Sequence, residues 1–423
     1  MAVSELTHTI RIFTRGAVLA CATMATAAAG QAAVSLAVIE IEGTPAEVET
    51  GFTWLGDGSD TLLGIVNTID TLAYDREFSG LVIRLKDTAL SATQAEEIGH
   101  AMERYREMDK RIHIFAEGYG TTDLLLASHA DEVILQRGGF VSFPGLHVEE
   151  MYLADTLSWV GVEAQLVQVG DFKGANEEMT RSAPSPQWDQ NMSGLLDSMY
   201  ANIRSVIKNG RGFSDEQLDG AMRVVWAGSG AEAIEVGMID AEVDLPSLKE
   251  HLADVYGAEV GWVSDPYEVR QNAPAASNPF SIFTAMGKES NPVHIDHPTI
   301  AVLHINGTII DGDSASGGLL GGGSSVGSRT VRNAIETIMS EDLIEGVVVR
   351  INSPGGSAIA SEVMWQGIER LKGVKPVWVS VGNMAASGGY YVLSAGDKVY
   401  VNDSSIVGSI GVVMSGFGFV EAI

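Results

Sequence analysis

Ser387 is the residue whose surroundings best suit nucleophilic chemistry. It follows an apolar, strand-like run at 376–381 and precedes the pair Gly388-Gly389. A serine in a tight turn between a strand and a helix exposes its Oγ, and the glycines after it let a substrate approach the backbone closely. A Ser-Gly-Gly turn is most often only a turn, so other features must support it before it indicates an active site.

A second glycine turn lies upstream, again at the end of an apolar, strand-like run. The run at 346–351 is followed by Asn352-Ser353-Pro354-Gly355-Gly356. Two such turns at the ends of neighbouring strands aim backbone N–H groups at one point, which is what a developing oxyanion requires. The two turns together favour a catalytic interpretation of Ser387.

A serine hydroxyl also needs a general base. His304 lies in a strand-like run, where a structural role in the core or at a sheet edge is the simpler interpretation. A lysine replaces histidine when burial strips water from its ammonium and lowers its pKa. Lys173 follows an apolar strand and is a candidate of this kind, although most lysines are surface residues.

The chain contains a long internal repeat, which predicts a duplicated domain. Residues 80–85 align with 346–351 in the pattern Gly-apolar-apolar-apolar-Arg-apolar, and 346 − 80 = 266. The same offset relates 128–133 to 394–399, and a similar offset, 301 − 37 = 264, relates the segments 37–44 and 301–308.

The two copies differ where chemistry is expected. At the offset of 266, Thr121 stands in the first copy where Ser387 stands in the second. Thr88-Ala89-Leu90 likewise replaces Pro354-Gly355-Gly356, so the first copy has lost both glycine turns. We therefore expect the nucleophile in the second copy and a different role for the first.

Strand-like and helix-like segments alternate along the first copy, which predicts an α/β fold with helices packed on a largely parallel sheet. The helical patterns are at 61–72 and at 91–108, the second with Ser91 as its cap, and the strand-like segments are at 36–41, 81–85, 112–116, 133–135 and 164–169. The predicted organisation is an N-terminal segment 1–34, a first domain 35–264, a linker 265–298 and a second domain 299–423. A glycine-rich loop at 311–328 is either a mobile lid or a surface loop.

Composition excludes several classes of protein. The net charge is 26 − 55 = −29, and so acidic a surface repels phosphate backbones, so nucleic acid is not an expected partner. Cys21 is the only cysteine, which rules out a disulfide within the chain and a cysteine-based metal site. No helix-spaced His-Glu-x-x-His occurs. We expect neither a metal nor a cofactor.

The N-terminus has the pattern of an export segment. Arg11 and Arg15 precede an uncharged run at 16–39 that is rich in alanine and contains small-residue cleavage sites. The two arginines place the N-terminus inside and the bulk of the chain outside. The segment is either cleaved or kept as an anchor, and lipid attachment at Cys21 is the weaker alternative.

The motifs of both copies together resemble one known family. Residues 352–357, 383–391 and 408–411, with 169–175 in the first copy, closely resemble signal peptide peptidase A in its long, duplicated form. This is a family of membrane-associated bacterial serine proteases in the Clp protease/crotonase-like superfamily, and the resemblance covers almost the whole chain. It implies tandem Clp protease/crotonase-like α/β domains with mainly parallel sheets.

The resemblance also implies a role for each site residue. Ser387 corresponds to the nucleophile and Lys173, from the other copy, to the general base. Ser409 corresponds to the serine that orients the lysine. The oxyanion donors correspond to the backbone N–H of Gly388 and one N–H from Gly355 or Gly356. No metal or cofactor takes part in this Ser-Lys dyad.

Family members digest signal peptides already released from the membrane, which implies peptide substrates and a place at the bacterial inner membrane, on its periplasmic side. They assemble as homotetramers. Because 423 − 266 = 157, the second copy stops where the first still continues, and long members of the family run further. The chain is therefore expected to be truncated at its C-terminus, and poorly stable or inactive as it stands.

Three other interpretations remain. The first is a non-catalytic envelope scaffold of the same fold. The second is a crotonase-type acyl-CoA enzyme, disfavoured by the export segment and because Glu362 lies on the helix after the second glycine turn rather than in a catalytic position. The third is a phage capsid-maturation protease, a class that generally lacks the duplication.

Overall fold

The computed structural model describes residues 33–48, 61–264, 295–315 and 324–419. Nearly all of the predicted export segment, most of the predicted linker and the centre of the glycine-rich loop lie outside these ranges. Within them, no helix is both long enough and apolar enough to cross a membrane.

The first copy begins with a regular alternation of strands and helices: β1 (Val34–Glu42), α1 (Leu62–Tyr74), β2 (Gly80–Lys86), α2 (Ala92–Arg106), β3 (Arg111–Tyr119), α3 (Thr121–Ala127) and β4 (Glu132–Val141). It continues with a largely helical part: α4 (Ala154–Trp159), β5 (Val162–Val169), α5 (Glu177–Thr180), α6 (Pro186–Arg211), α7 (Asp215–Val224), β6 (Gly228–Ser229), α8 (Gly230–Glu235), β7 (Ala241–Val243), α9 (Leu248–Tyr256) and β8 (Val260–Ser264).

The second copy repeats the alternation: β9 (Thr299–Asn306), β10 (Thr308–Ile310), β11 (Ser325–Gly327), α10 (Ser328–Ser340), β12 (Ile344–Ser353), α11 (Ala358–Lys372), β13 (Val377–Ala386), α12 (Gly388–Leu393), β14 (Lys398–Tyr400), β15 (Ile406–Gly408) and β16 (Val412–Phe419). Helices α10 and α11 begin and end 266 residues after α1 and α2, since 328 − 62 = 266 and 358 − 92 = 266. The predicted duplication is therefore present in the fold.

Both copies have the same sheet at their centre. The first sheet has the order β6-β4-β3-β2-β1-β8, with β7 also paired to β4, and every pair except β4–β6 is parallel. The second has the order β14-β13-β12-β9, with β15 also paired to β13, and is parallel throughout. The mainly parallel α/β fold predicted from the sequence is confirmed.

Apolar strands covered by amphipathic helices explain why each sheet forms. The central strands are nearly continuous runs of apolar residues, as expected where helices bury the sheet. Ser91 caps α2 through a capping box with Gln94, as the sequence predicted. Strand β4 runs beyond the predicted segment 133–135 to Val141, through Gly138 and Gly139, because β3 shifts register between Ala116 and Gly118 and pairs with this extension.

A two-stranded antiparallel ladder joins the copies. Strand β16 of the second copy pairs with β5 of the first, from Val412 opposite Val169 to Phe419 opposite Val162. No other strand pairs with either of them in the described part of the chain. The ladder therefore fixes the residues just after β5 against those just before β16.

Two isoleucines of α11 allow a matched test of this packing. Ile368 is fully buried in the core of the second copy, whereas Ile359 on the same helix is 73% exposed. Ile368→Ala is expected to cost about 2–5 kcal/mol because it removes buried methyl groups and leaves a cavity, and Ile359→Ala should change the free energy of unfolding by less than about 0.5 kcal/mol. Denaturant unfolding of both variants measures the difference, and equal midpoints would contradict this core.

Candidate active site

Ser387 sits in the strand-to-helix turn that the sequence predicted. It lies between the end of β13 and the start of α12, with φ 53° and ψ −112°. A positive φ is unusual for a residue with a side chain and is held only where the surroundings impose it. The backbone here is fixed from two sides: the Ser387 N–H donates to the Gly408 carbonyl at 3.0 Å, and the Ser387 carbonyl accepts from Tyr391 N–H at 2.9 Å.

The second glycine turn lies against this one. A methyl group built on Gly355, which has φ +93°, would lie 2.6 Å from the Gly388 nitrogen and 2.8 Å from the Ser387 Cβ. Gly356, with φ +152°, is held by β10, because Ile309 donates to the Gly355 carbonyl at 2.8 Å and accepts from Ser357 N–H at 2.9 Å. The two turns predicted to meet therefore do so, and glycine is needed for the contact.

The structure distinguishes the two candidate donors of the second turn. The Gly355 N–H donates to Ser353 Oγ at 3.1 Å, and that hydroxyl in turn donates to the Gly307 carbonyl at 2.7 Å. Neither the Gly356 N–H nor the Gly388 N–H has an acceptor among the hydrogen bonds of the described residues. The free pair of donors beside Ser387 is thus Gly388 and Gly356.

Lys173 is one of the few buried polar residues and is 7% exposed. It lies in the turn after β5, where its N–H donates to the Gly170 carbonyl at 3.1 Å. Burial lowers the pKa of its ammonium, and none of the ion pairs among the described residues supplies it with a carboxylate. A buried lysine without a counter-ion favours the neutral amine, which is the form a general base requires.

The amine of Lys173 bonds to the other copy. Its Nζ donates to Ser409 Oγ at 3.0 Å and also to the Ser409 carbonyl. The stem packs on Gly411, where an added Cβ would lie 3.3 Å from Lys173 Cδ and 2.3 Å from the Val169 carbonyl oxygen. Ser409, like Ser387, has a positive φ, of 52°.

Two hydrogen bonds and one peptide bond connect Ser387 to Lys173. Gly408, which binds the Ser387 N–H, directly precedes Ser409, which binds the Lys173 amine. Within the described residues no hydrogen bond joins the Lys173 Nζ to Ser387 Oγ, as is common for catalytic pairs before substrate binds. His304 makes no hydrogen bond to this site; it lies on β9, where burial lowers its pKa.

In the first copy, the position equivalent to Gly389 carries a hydrogen-bonded side chain that sequence analysis did not single out. Asp123, the counterpart of Gly389, accepts from Gly120 N–H at 2.9 Å and from Thr88 Oγ at 2.7 Å. The first copy thus has a hydrogen-bonded carboxylate at the position where the second copy has a glycine. The sequence signal was the acidic residue two positions after Thr121, where the second copy has the second glycine of its Gly-Gly pair.

Comparisons with known proteins find similar sequences among peptidases. The model of Peptidase family S49 matches residues 104–258 and 369–423. Protease 4 of Haemophilus influenzae is 29% identical over 357 residues, covering 82% of this chain and 55% of that protein. The chloroplastic serine protease SPPA of Arabidopsis thaliana is 25% identical over 354 residues, covering 82% and 49%. The chain spans about half the length of the curated relatives it matches.

A solved structure of the 1510-N membrane-bound stomatin-specific protease, a mutant form, covers 55% of this chain and 99% of that chain, at 13% identity and a TM-score of 0.29. A likeness this loose adds nothing to the geometry of the site.

The tandem, mainly parallel α/β domains are consistent with a Clp protease/crotonase-like fold. Within that class, the chain is of the SppA type: the model of Peptidase family S49 matches two segments of it, and it is similar to Protease 4 and to SPPA over most of its length.

The lowered pKa of Lys173 predicts a pH-dependent stability. Between the folded-state pKa and the ordinary value of 10.5, the unfolded chain binds more protons than the folded one, so stability rises with pH. Relative to Lys173→Met, the wild-type free energy of unfolding should fall as pH drops through this window and stay level below it. Denaturant unfolding at a series of pH values measures this.

The matched control is Lys249→Met, which removes an exposed lysine on α9 and lacks the burial that generates the effect. A wild-type stability that runs parallel to that of Lys173→Met at all pH values would contradict the buried amine.

Proposed function

We propose that this chain is the catalytic part of a serine endopeptidase in which Ser387 is the nucleophile and Lys173 the general base. The observation that carries the proposal is the buried Lys173 amine of the first copy, bonded to Ser409 beside the strained Ser387 turn of the second. Neither copy holds both groups, so the site forms only where the copies meet.

In this mechanism the neutral amine takes the proton of Ser387 Oγ as that oxygen attacks the peptide carbonyl. The bond from oxygen to carbon leaves a negative charge on the carbonyl oxygen, which the free N–H groups of Gly388 and Gly356 receive. The Lys173 ammonium then returns its proton to the leaving amine. Water, deprotonated by the same amine, releases the acyl group from Ser387.

Ser409 orients the base in this scheme. Its hydroxyl and carbonyl oxygens both accept from Lys173 Nζ, which fixes the amine in the turn after β5. A lysine stem has several rotatable bonds, so these contacts reduce the freedom that would otherwise slow proton transfer.

The surroundings of the dyad suit an apolar, extended peptide. Phe172, Val169, Ile410 and Val412 are all more than half exposed and flank Lys173 and Ser409 along the β5–β16 ladder. Apolar side chains presented by strands favour extended, apolar substrates. Released signal peptides have this character, and we propose them as substrates, at the periplasmic face of the bacterial inner membrane and in a homotetramer.

One observation disfavours an acyl-CoA enzyme. Glu362 lies on α11, as the sequence predicted, and its carboxylate is bonded by Tyr391 Oη and by Gln366 Nε2. The Glu362 carboxylate is therefore engaged on the helix surface rather than free to act on an acyl thioester.

The test is site labelling with a fluorophosphonate probe, mapped by mass spectrometry, together with cleavage of an apolar signal peptide. Ser387→Ala should abolish both, and Lys173→Ala should slow both by about 10²–10⁴-fold because the general base is lost. Thr121→Ala, at the equivalent position of the first copy, is the matched control and should match the wild type. A chain whose cellular effect survives both site changes is a scaffold rather than a peptidase.

A further inference from the structure

The two copies differ at one register position that faces the boundary between them. In the first copy, Glu40 of β1 lies opposite Arg84 of β2, and the two form an ion pair within the copy. In the second, the same place on β9 holds His304, opposite Arg350 of β12. An arginine is kept in both copies, but its local carboxylate is present only in the first.

Arg350 therefore finds its partners in the other copy. Its Nε and Nη2 each lie 3.1 Å from an oxygen of Glu47, and Nη2 lies 2.9 Å from Glu97 Oε1. Its Nη1 donates to Ser380 Oγ at 3.0 Å within its own sheet. The side chains of Arg350 and Glu47 are 12% and 8% exposed, far less than the 21% and 30% of Arg84 and Glu40.

Glu97 lies on helix α2 of the first copy, and this helix also contacts the segment that leads to Ser409. Glu97 on α2 accepts from Asn402 Nδ2 at 2.7 Å. The adjacent Glu96 accepts from Ser404 N–H at 3.1 Å and from Ser404 Oγ at 2.6 Å. Helix α2 thus binds both the strand that ends in the second glycine turn and the loop that precedes β15.

We propose that Arg350, through Glu97 and Glu47, is a positioning residue that sets the glycine turns and Ser409 of the second copy in register with Lys173 of the first. The replacement of a local carboxylate by His304 makes this possible, because a neutral ring leaves the guanidinium free to bind across the boundary. The proposal rests on the proposed function, since the register matters for catalysis only if the dyad is split between the copies.

Two substitutions at one position give the sharpest test. His304→Glu offers Arg350 a local carboxylate, as Glu40 does for Arg84, and should draw the guanidinium away from Glu97. His304→Gln is neutral and of similar size, and is the matched control. The rate of fluorophosphonate labelling at Ser387 should fall by about 10²-fold in His304→Glu, the loss expected from a misplacement of about 1 Å, and stay near the wild-type rate in His304→Gln.

Hydrogen exchange at 402–411 supplies a readout that needs no activity. Exchange should speed up in His304→Glu and in Glu97→Gln, the second being a nearly isosteric change that keeps an acceptor for Asn402. It should stay unchanged in the controls His304→Gln and Glu40→Gln. A merely structural role would lower the unfolding midpoint of these variants without altering native-state exchange at 402–411 or the labelling rate.

The proposal is overturned if exchange at 402–411 in His304→Glu equals that of the wild type, or if wild-type chain is labelled at Ser387 and His304→Glu is labelled at the same rate. If the wild type is not labelled at Ser387 at all, the proposed function fails, and exchange alone then decides whether Arg350 holds this segment in place.

Discussion

The site depends on one costly arrangement, a lysine amine buried without a counter-charge. Lys173 is 7% exposed, and among the residues that the structure describes its amine bonds only to the uncharged oxygens of Ser409. Removing an ammonium from water is unfavourable, so burial lowers the pKa of Lys173 and raises the fraction of neutral amine, the form that can act as a base. The second copy contributes to that environment, because Ser409 bonds the amine and Gly411 packs against the lysine stem.

Among the contacts that hold the boundary between the copies, three differ in kind. The β5–β16 ladder supplies backbone hydrogen bonds and fixes register along the strands. Arg350 adds a buried ionic contact with Glu47 and Glu97, whose geometry is specific because a guanidinium binds carboxylates in a fixed plane. Glu96 and Ser404 add further polar contacts next to β15. Breaking a buried pair leaves an uncompensated charge, so these contacts resist sliding of one copy on the other.

The two copies differ at the glycine turns. The first copy has neither turn, and in it Asp123 stands at the position of Gly389 and accepts from Thr88 Oγ and from Gly120 N–H. A carboxylate bound to the N–H of Gly120 suits the start of α3, since an acidic group is favoured at the beginning of a helix. The copies also differ at the arginine: Arg84 pairs with Glu40 within the first copy, whereas Arg350 of the second copy pairs with Glu47 across the boundary.

The sequence by itself determined the parallel α/β fold, the duplication, the cap at Ser91 and the strand-to-helix turn at Ser387, because each of these is encoded by neighbours along the chain. It left Gly355 and Gly356 equivalent and gave no sign of the β5–β16 ladder or of the partners of Arg350. Only the tertiary structure decided these. Which amide is free depends on the Ser353 hydroxyl, and which carboxylates meet Arg350 depends on residues more than 250 positions away, with |i−j| = 303 for Glu47 and 253 for Glu97. Hydrogen bonds and charge interactions depend on distances in space, and the local pattern of apolar residues along the chain does not specify those distances.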